Sequence, residues 1–183
     1  MTDPTLQMYL LAFMVVTTWL MVFWSQFRKM ISVKLETRNI EDVARYNRLK
    51  RIGGWYWAIF SVFGIMTVIY AIAPDLYFLF LPLDMFHHPV INTMGLLILK
   101  ISVVWIVIAQ LDIDKELYKY SRNIQSLSAM ELVNYTERKL LSGMLVLFVG
   151  YFTTITNIIG LLLVIVGFVI HTRVFSSKAT APC

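Results

Sequence analysis

Residues 140–175 read LLSGMLVLFVGYFTTITNIIGLLLVIVGFVIHTRVF. Arg173, near its far end, is the only Asp, Glu, Lys or Arg in the run. A single helix needs about 20 apolar residues to cross a bilayer, so the run is too long for one crossing. The polar group TTITN, Thr153 to Asn157, is the natural division. Each half is then about 17 residues, at the short end of the spanning range, and a tight helical hairpin is expected.

The rest of the chain agrees with a membrane reading. Of 183 residues, 58% are apolar and 15% charged, and the apolar ones gather into long runs. The mean hydropathy is +0.70. A water-soluble core of this length does not require so much apolar surface. The opening residues MTDPTLQ carry no Lys or Arg. The basic region of a cleavable signal peptide is therefore missing, and the first apolar run is expected to be a true span. The fold expected is an all-α, polytopic helical membrane domain covering residues 1–183. Its five transmembrane helices are placed near 8–27, 55–73, 90–111, 140–153 and 157–175. The apolar piece LYFLFLPL after the second span is too short to cross, and is expected to lie at the interface or to extend that span past a proline kink.

Charge sets the orientation. The loop 28–51 holds eight Lys/Arg, and with five more between spans three and four and two in the tail, fifteen of the sixteen bases fall on one side of a five-span chain. Positive charge marks the cytoplasmic side, so the amino terminus is expected outside and the carboxyl terminus in the cytoplasm. The net charge of +5 has the same origin. Bases that flank spans meet anionic lipid headgroups, and no nucleic-acid partner is expected. Two cytoplasmic stretches read as helix. One follows Asn39 as N-cap, with Ile40, Val43 and Tyr46 at helical spacing, and is expected to lie on the membrane surface. The other opens with the capping-box spacing of Ser128 and Glu131 and is expected to run on into span four.

Few residues carry chemistry. Lys100 lies near mid-depth of the third span, where a base costs about 2.5–3.5 kcal/mol to insert. It is expected to point into a helix interface, toward a hydroxyl such as Thr17, Thr18 or Thr67, toward a backbone carbonyl, or toward an acid of a partner subunit. A proton, ion or transport site is the alternative. His87, His88 and Asp84 form a cluster on the outer loop that is too small for a metal centre, and no metal site is expected. His171 reads as a boundary residue. Gly143 and Gly150, and Gly160 and Gly167, stand one heptad apart in the last two spans, and are expected to let the two arms of the hairpin approach closely. The single cysteine, Cys183, can make no internal disulfide. There is no Walker loop, nucleophile elbow or dinucleotide fingerprint.

Residues 95–110, GLLILKISVVWIVIAQ, resemble a helix of the isoprenylcysteine carboxyl methyltransferase and phospholipid methyltransferase superfamily, with Trp105 and then Ala109-Gln110 toward its cytoplasmic end. The hairpin resembles the family's closing pair of helices, with Gly143-Met144 early in its first arm and Asn157 at the bend. The resemblance covers residues 95–174 and implies a membrane methyltransferase that uses S-adenosylmethionine on a lipid or an isoprenylated cysteine. Its cofactor residues would fall at Gln110, Glu137, Arg138 and Arg173. The family opens its hairpin with Arg-His-Pro or Arg-Asn-Pro, whereas Glu137, Arg138 and Lys139 stand here. Paired glutamates and a helical tail follow the family's last span, whereas Val174 and Phe175 follow Arg173 here. The resemblance with these departures implies a non-catalytic, degenerate member, without confident catalytic or cofactor residues. Such a protein is expected to act as a subunit or scaffold beside other membrane proteins.

Overall fold

The computed structural model describes residues 4–35, 40–86, 88–121 and 129–176. They form five α-helices: α1 (Pro4–Leu35), α2 (Ile40–Ile72), α3 (Pro89–Ser121), α4 (Ala129–Ile155) and α5 (Ile158–Ser176). Two 3-10 segments, Pro74–Phe80 and Asp84–Phe86, join α2 to α3. The fold is all-α. Four helices carry stretches long and apolar enough to cross a membrane: Thr5–Phe23, Gly53–Ile72, Pro89–Asp112 and Arg138–Ile155. The fifth apolar helix, Ile158–Arg173, is shorter than these. The protein is a multi-pass membrane protein by this architecture.

The helices outrun the spans marked in the sequence. α2 passes through Gly53-Gly54 without a break, so the stretch after Asn39 is one helix with span two rather than a separate surface helix. α3 continues beyond Leu111 to Ser121, and α1 beyond Phe27 to Leu35. A hydrogen-bonded helix gains one bond for each residue added, so it continues past the apolar boundary until a breaker stops it. Asn39, Ser128, His87, Cys183 and the rest of the tail lie outside the described residues, as do the side chains of Asp84, Glu131 and Glu137.

α4 is the central helix. Its membrane stretch is 56% buried, against 28% for that of α3. α3 and α4 run antiparallel in constant register, with Gly95 opposite Thr154, Leu99 opposite Gly150 and Ile106 opposite Gly143. On another side Phe63 of α2 stacks on Phe148 and Tyr151 at 5.5 and 6.0 Å between ring centres. On a third, Met14 and Thr17 of α1 meet the Tyr151 hydroxyl. Gly143 and Gly150 thus face α3 and not α5. The hairpin is instead served by Gly167, against Leu145 and Phe148, and by Gly160, against Phe152 and Phe63. An apolar helix has the same composition on every side, so the spacing of the glycines marked a close approach without marking the partner.

The hairpin bend is tighter than TTITN suggested. α4 runs through Thr153 and Thr154 to Ile155, and only Thr156 and Asn157 leave the helix, Thr156 with φ of 38°. The hydroxyls of Thr153 and Thr154 accommodate themselves by bonding the carbonyls of Val149 and Gly150 one turn back. A threonine that satisfies itself in this way does not interrupt a helix. The LYFLFLPL piece is a 3-10 turn and loop, separate from α2, whose Tyr77 is buried.

Candidate functional site

Polar side chains gather at the two ends of the bundle. At one end α3 finishes, α4 begins and α5 finishes, and this polar end holds the charges that precede the fourth span. Lys139 of α4 donates to Asp112 of α3 and forms an ion pair with it. One turn on, the Ser142 hydroxyl lies 2.7 Å from the Arg138 carbonyl and 3.1 Å from Nε2 of His171 on α5. The carbonyl can only accept, so Ser142 donates to it, and the remaining bond is best made by a protonated His171 Nε2 donating to Ser142 Oγ. This is the reverse of a nucleophile activated by a base, in which the imidazole takes the serine proton. The pair fastens α5 to α4.

Gln110 is half-buried on α3, just before Asp112. Arg138 is exposed on α4, with its charge bearing on His171. Arg173 is exposed in the last turn of α5, where a cation complements the helix dipole. Gln110, Arg138 and Arg173 therefore lie at one end of the bundle, on α3, α4 and α5. Sequence reading passed over Asp112 and Ser142. Ser142 stands fourteen residues before Thr156 and His171 fourteen after Asn157, so pairing positions equidistant from the bend would have found the contact.

The opposite end is closed by the loop between α2 and α3. The Tyr77 hydroxyl donates to the Ile155 carbonyl at 2.5 Å and accepts from Asn157 Nδ2 at 2.7 Å. Asn157 Oδ1 accepts the Gly160 N–H at 2.5 Å and so caps α5. Two backbone bonds flank this group, Leu83 N–H to Thr156 O and Ile158 N–H to Leu81 O, at 3.0 and 3.1 Å. Burial pushes the Tyr77 hydroxyl above the usual tyrosine range, which keeps it a donor. His88 is exposed, with Nδ1 accepting from the Val90 N–H. Among the described residues no three of His, Cys, Asp and Glu come together.

Of the destinations expected for Lys100, the hydroxyls within the bundle are not the ones it meets. It is exposed on the outer face of α3, not turned into the bundle. The hydroxyls named for it are engaged or enclosed elsewhere. Thr17 bonds Phe13 O and Met14 O, Thr18 bonds Met14 O, and Thr67 is fully buried on α2. The inward side of α3 is held by Leu99, Ser102, Ile106 and Ala109, and a lysine one residue after Leu99 is turned about 100° from that side.

Comparison of the chain with protein-family models, with curated proteins and with solved structures found no match.

Proposed function

We propose that the protein is a non-catalytic subunit or scaffold of a larger membrane assembly, with a degenerate methyltransferase-like fold. The observation that supports this is the engagement of the polar end within the bundle. A methyl-donor pocket needs several donors and acceptors fixed around an opening. Here Lys139 is joined to Asp112, and Ser142 to His171 and its own helix, so these groups tie α3, α4 and α5 to one another. These four side chains, in this reading, serve helix packing rather than a methyl donor. In this reading the exposed Arg138 and Arg173 meet anionic headgroups at the cytoplasmic face, with the amino terminus outside.

Purified protein titrated with S-adenosylhomocysteine in a thermal-unfolding series tests the reading. A bound ligand stabilises by about 2.7 kcal/mol at a hundredfold excess over Kd. No saturable shift is expected. A clear saturable shift would overturn the proposal in favour of a membrane methyltransferase acting on a lipid or an isoprenylated cysteine. Mild-detergent purification of the tagged chain is expected to bring stoichiometric membrane partners, and a monodisperse lone chain counts against the assembly.

A further inference from the structure

The outer face of α3 is a seam. Thr93, Leu97, Lys100, Val104, Val107 and Leu111 follow one another at alternating spacings of four and three, and all are exposed. That is the repeat by which one helix packs along another in a left-handed coil. A span facing lipid alone is apolar throughout and needs no base. This seam carries Lys100 at its middle, eleven residues after Pro89 and twelve before Asp112 in the 24-residue apolar stretch. The Lys100 backbone is then about 17 Å from either end at 1.5 Å per residue. A lysine stem of about four carbons does not cover that distance to reach the headgroups. Left against hydrocarbon, the charge has no offset for its insertion cost.

Among the described residues no acid stands at the level of Lys100. Of the chain's eleven Asp and Glu, none lies inside an apolar stretch except Asp112, at the very end of the α3 stretch and already paired with Lys139. Two copies packed face to face along this seam would set two ammonium groups against each other, which excludes a homodimer there. We infer that α3 docks a transmembrane helix of a different protein through this seam, and that the partner helix carries an Asp or Glu at mid-depth that pairs with Lys100. The single base of the seam, between Leu97 and Val104, sets the register of the pair, as one polar residue does in a coiled-coil seam. This rests on the assembly reading and names the chemistry of the partner.

The test uses the full chain in phosphatidylcholine vesicles with a synthetic transmembrane Leu/Ala helix bearing one central Glu, labelled for energy transfer. Saturable transfer is expected, at least tenfold tighter than for the same helix with Gln. Lys100→Gln should bring the Glu helix down to the Gln level, and Lys100→Glu should prefer a helix with a central Lys. Equal affinity for the Glu and Gln helices, or no change in the Lys100→Gln variant, overturns the inference. A photo-crosslinker in native membranes separates this from the assembly reading. Protein adducts at Leu97 and Val104 that vanish with Lys100→Gln support the seam. Adducts at Leu162 or Phe168 on α5 with only lipid at Leu97 refute the seam and leave the assembly standing. Lipid alone at all four positions removes both.

Discussion

Two glycines show how much a single hydrogen in place of a methyl decides. A Cβ at Gly95 would meet Thr154 Oγ1, the Thr154 backbone nitrogen at 2.7 Å and the Thr153 carbonyl carbon at 2.9 Å. Two of these atoms are backbone and cannot rotate away, so α3 and α4 would have to separate. Gly95→Ala is expected to cost about 1–3 kcal/mol, as overpacking does. Gly54, in the same class by composition, has nothing within 4 Å of where its Cβ would be. There the only term left is backbone freedom, and Gly54→Ala should be neutral or stabilise α2 by about 0.5–1 kcal/mol. Unfolding the two variants in the same detergent with denaturant checks the contrast. Equal effects would show that the α3–α4 approach is looser than described.

The α4–α5 hairpin depends on an element far from it in sequence. The bend leaves carbonyl and amide groups at Ile155, Thr156 and Ile158 that neither helix can satisfy, and lipid offers no partner for them. The Pro74–Phe80 segment and the residues after it supply those partners through Tyr77, Leu81 and Leu83. The Ile158–Arg173 stretch can be short because its first turn begins under this polar cover. Tyr77→Phe keeps the ring, which packs edge-on against Tyr70 at 4.9 Å, and removes the hydroxyl. Asn157 and the Ile155 carbonyl are then each left short of a partner, at a cost of about 1–3 kcal/mol. Asn157→Leu should cost at least as much, since it also deletes the α5 cap. The double variant should lose less than the sum, because the two side chains share one bond. Strict additivity in a double-mutant cycle would mean that the Tyr77–Asn157 bond contributes nothing.

For the molecule in the bilayer, the distribution of bases predicts orientation independently of packing. With Cys183→Ser as background, single cysteines at Thr2, Lys34, Met85 and Ser126 can be challenged with an impermeant thiol reagent in intact cells. Labelling is expected at Thr2 and Met85 alone, and labelling at Lys34 would reverse the topology. Met85 is 95% exposed on the connection between α2 and α3, so the absence of reaction there would not come from burial. The amino terminus and that connection share one side because α1 and α2 run antiparallel, as Gln7 bonding the Tyr70 carbonyl and Met14 facing Gly64 require.

The chain's long apolar runs were enough to give an all-helical membrane protein, and Asn157 and Lys100 stood out from their surroundings as polar residues in apolar company. The faces of the helices were not legible. In water, an amphipathic helix announces its buried side because the other side is polar. In a bilayer both sides are apolar, so Gly143 and Gly150 could be seen to need a close neighbour while the choice of α3 over α5 went unmarked. Lys100 was expected at a helix interface, within the bundle or with a partner, and its outward position follows from the inward packing of Leu99, Ser102 and Ile106. Gln110, Arg138 and Arg173 were singled out at separate places in the chain and do come to one end, but the pairs that occupy that end, Asp112 with Lys139 and Ser142 with His171, needed the hairpin and the α3–α4 register to bring them together. Apolar length is a property of the local chain and is written there. Which charge meets which partner is set by the packing of helices 27 and 29 residues apart, and no local pattern records it.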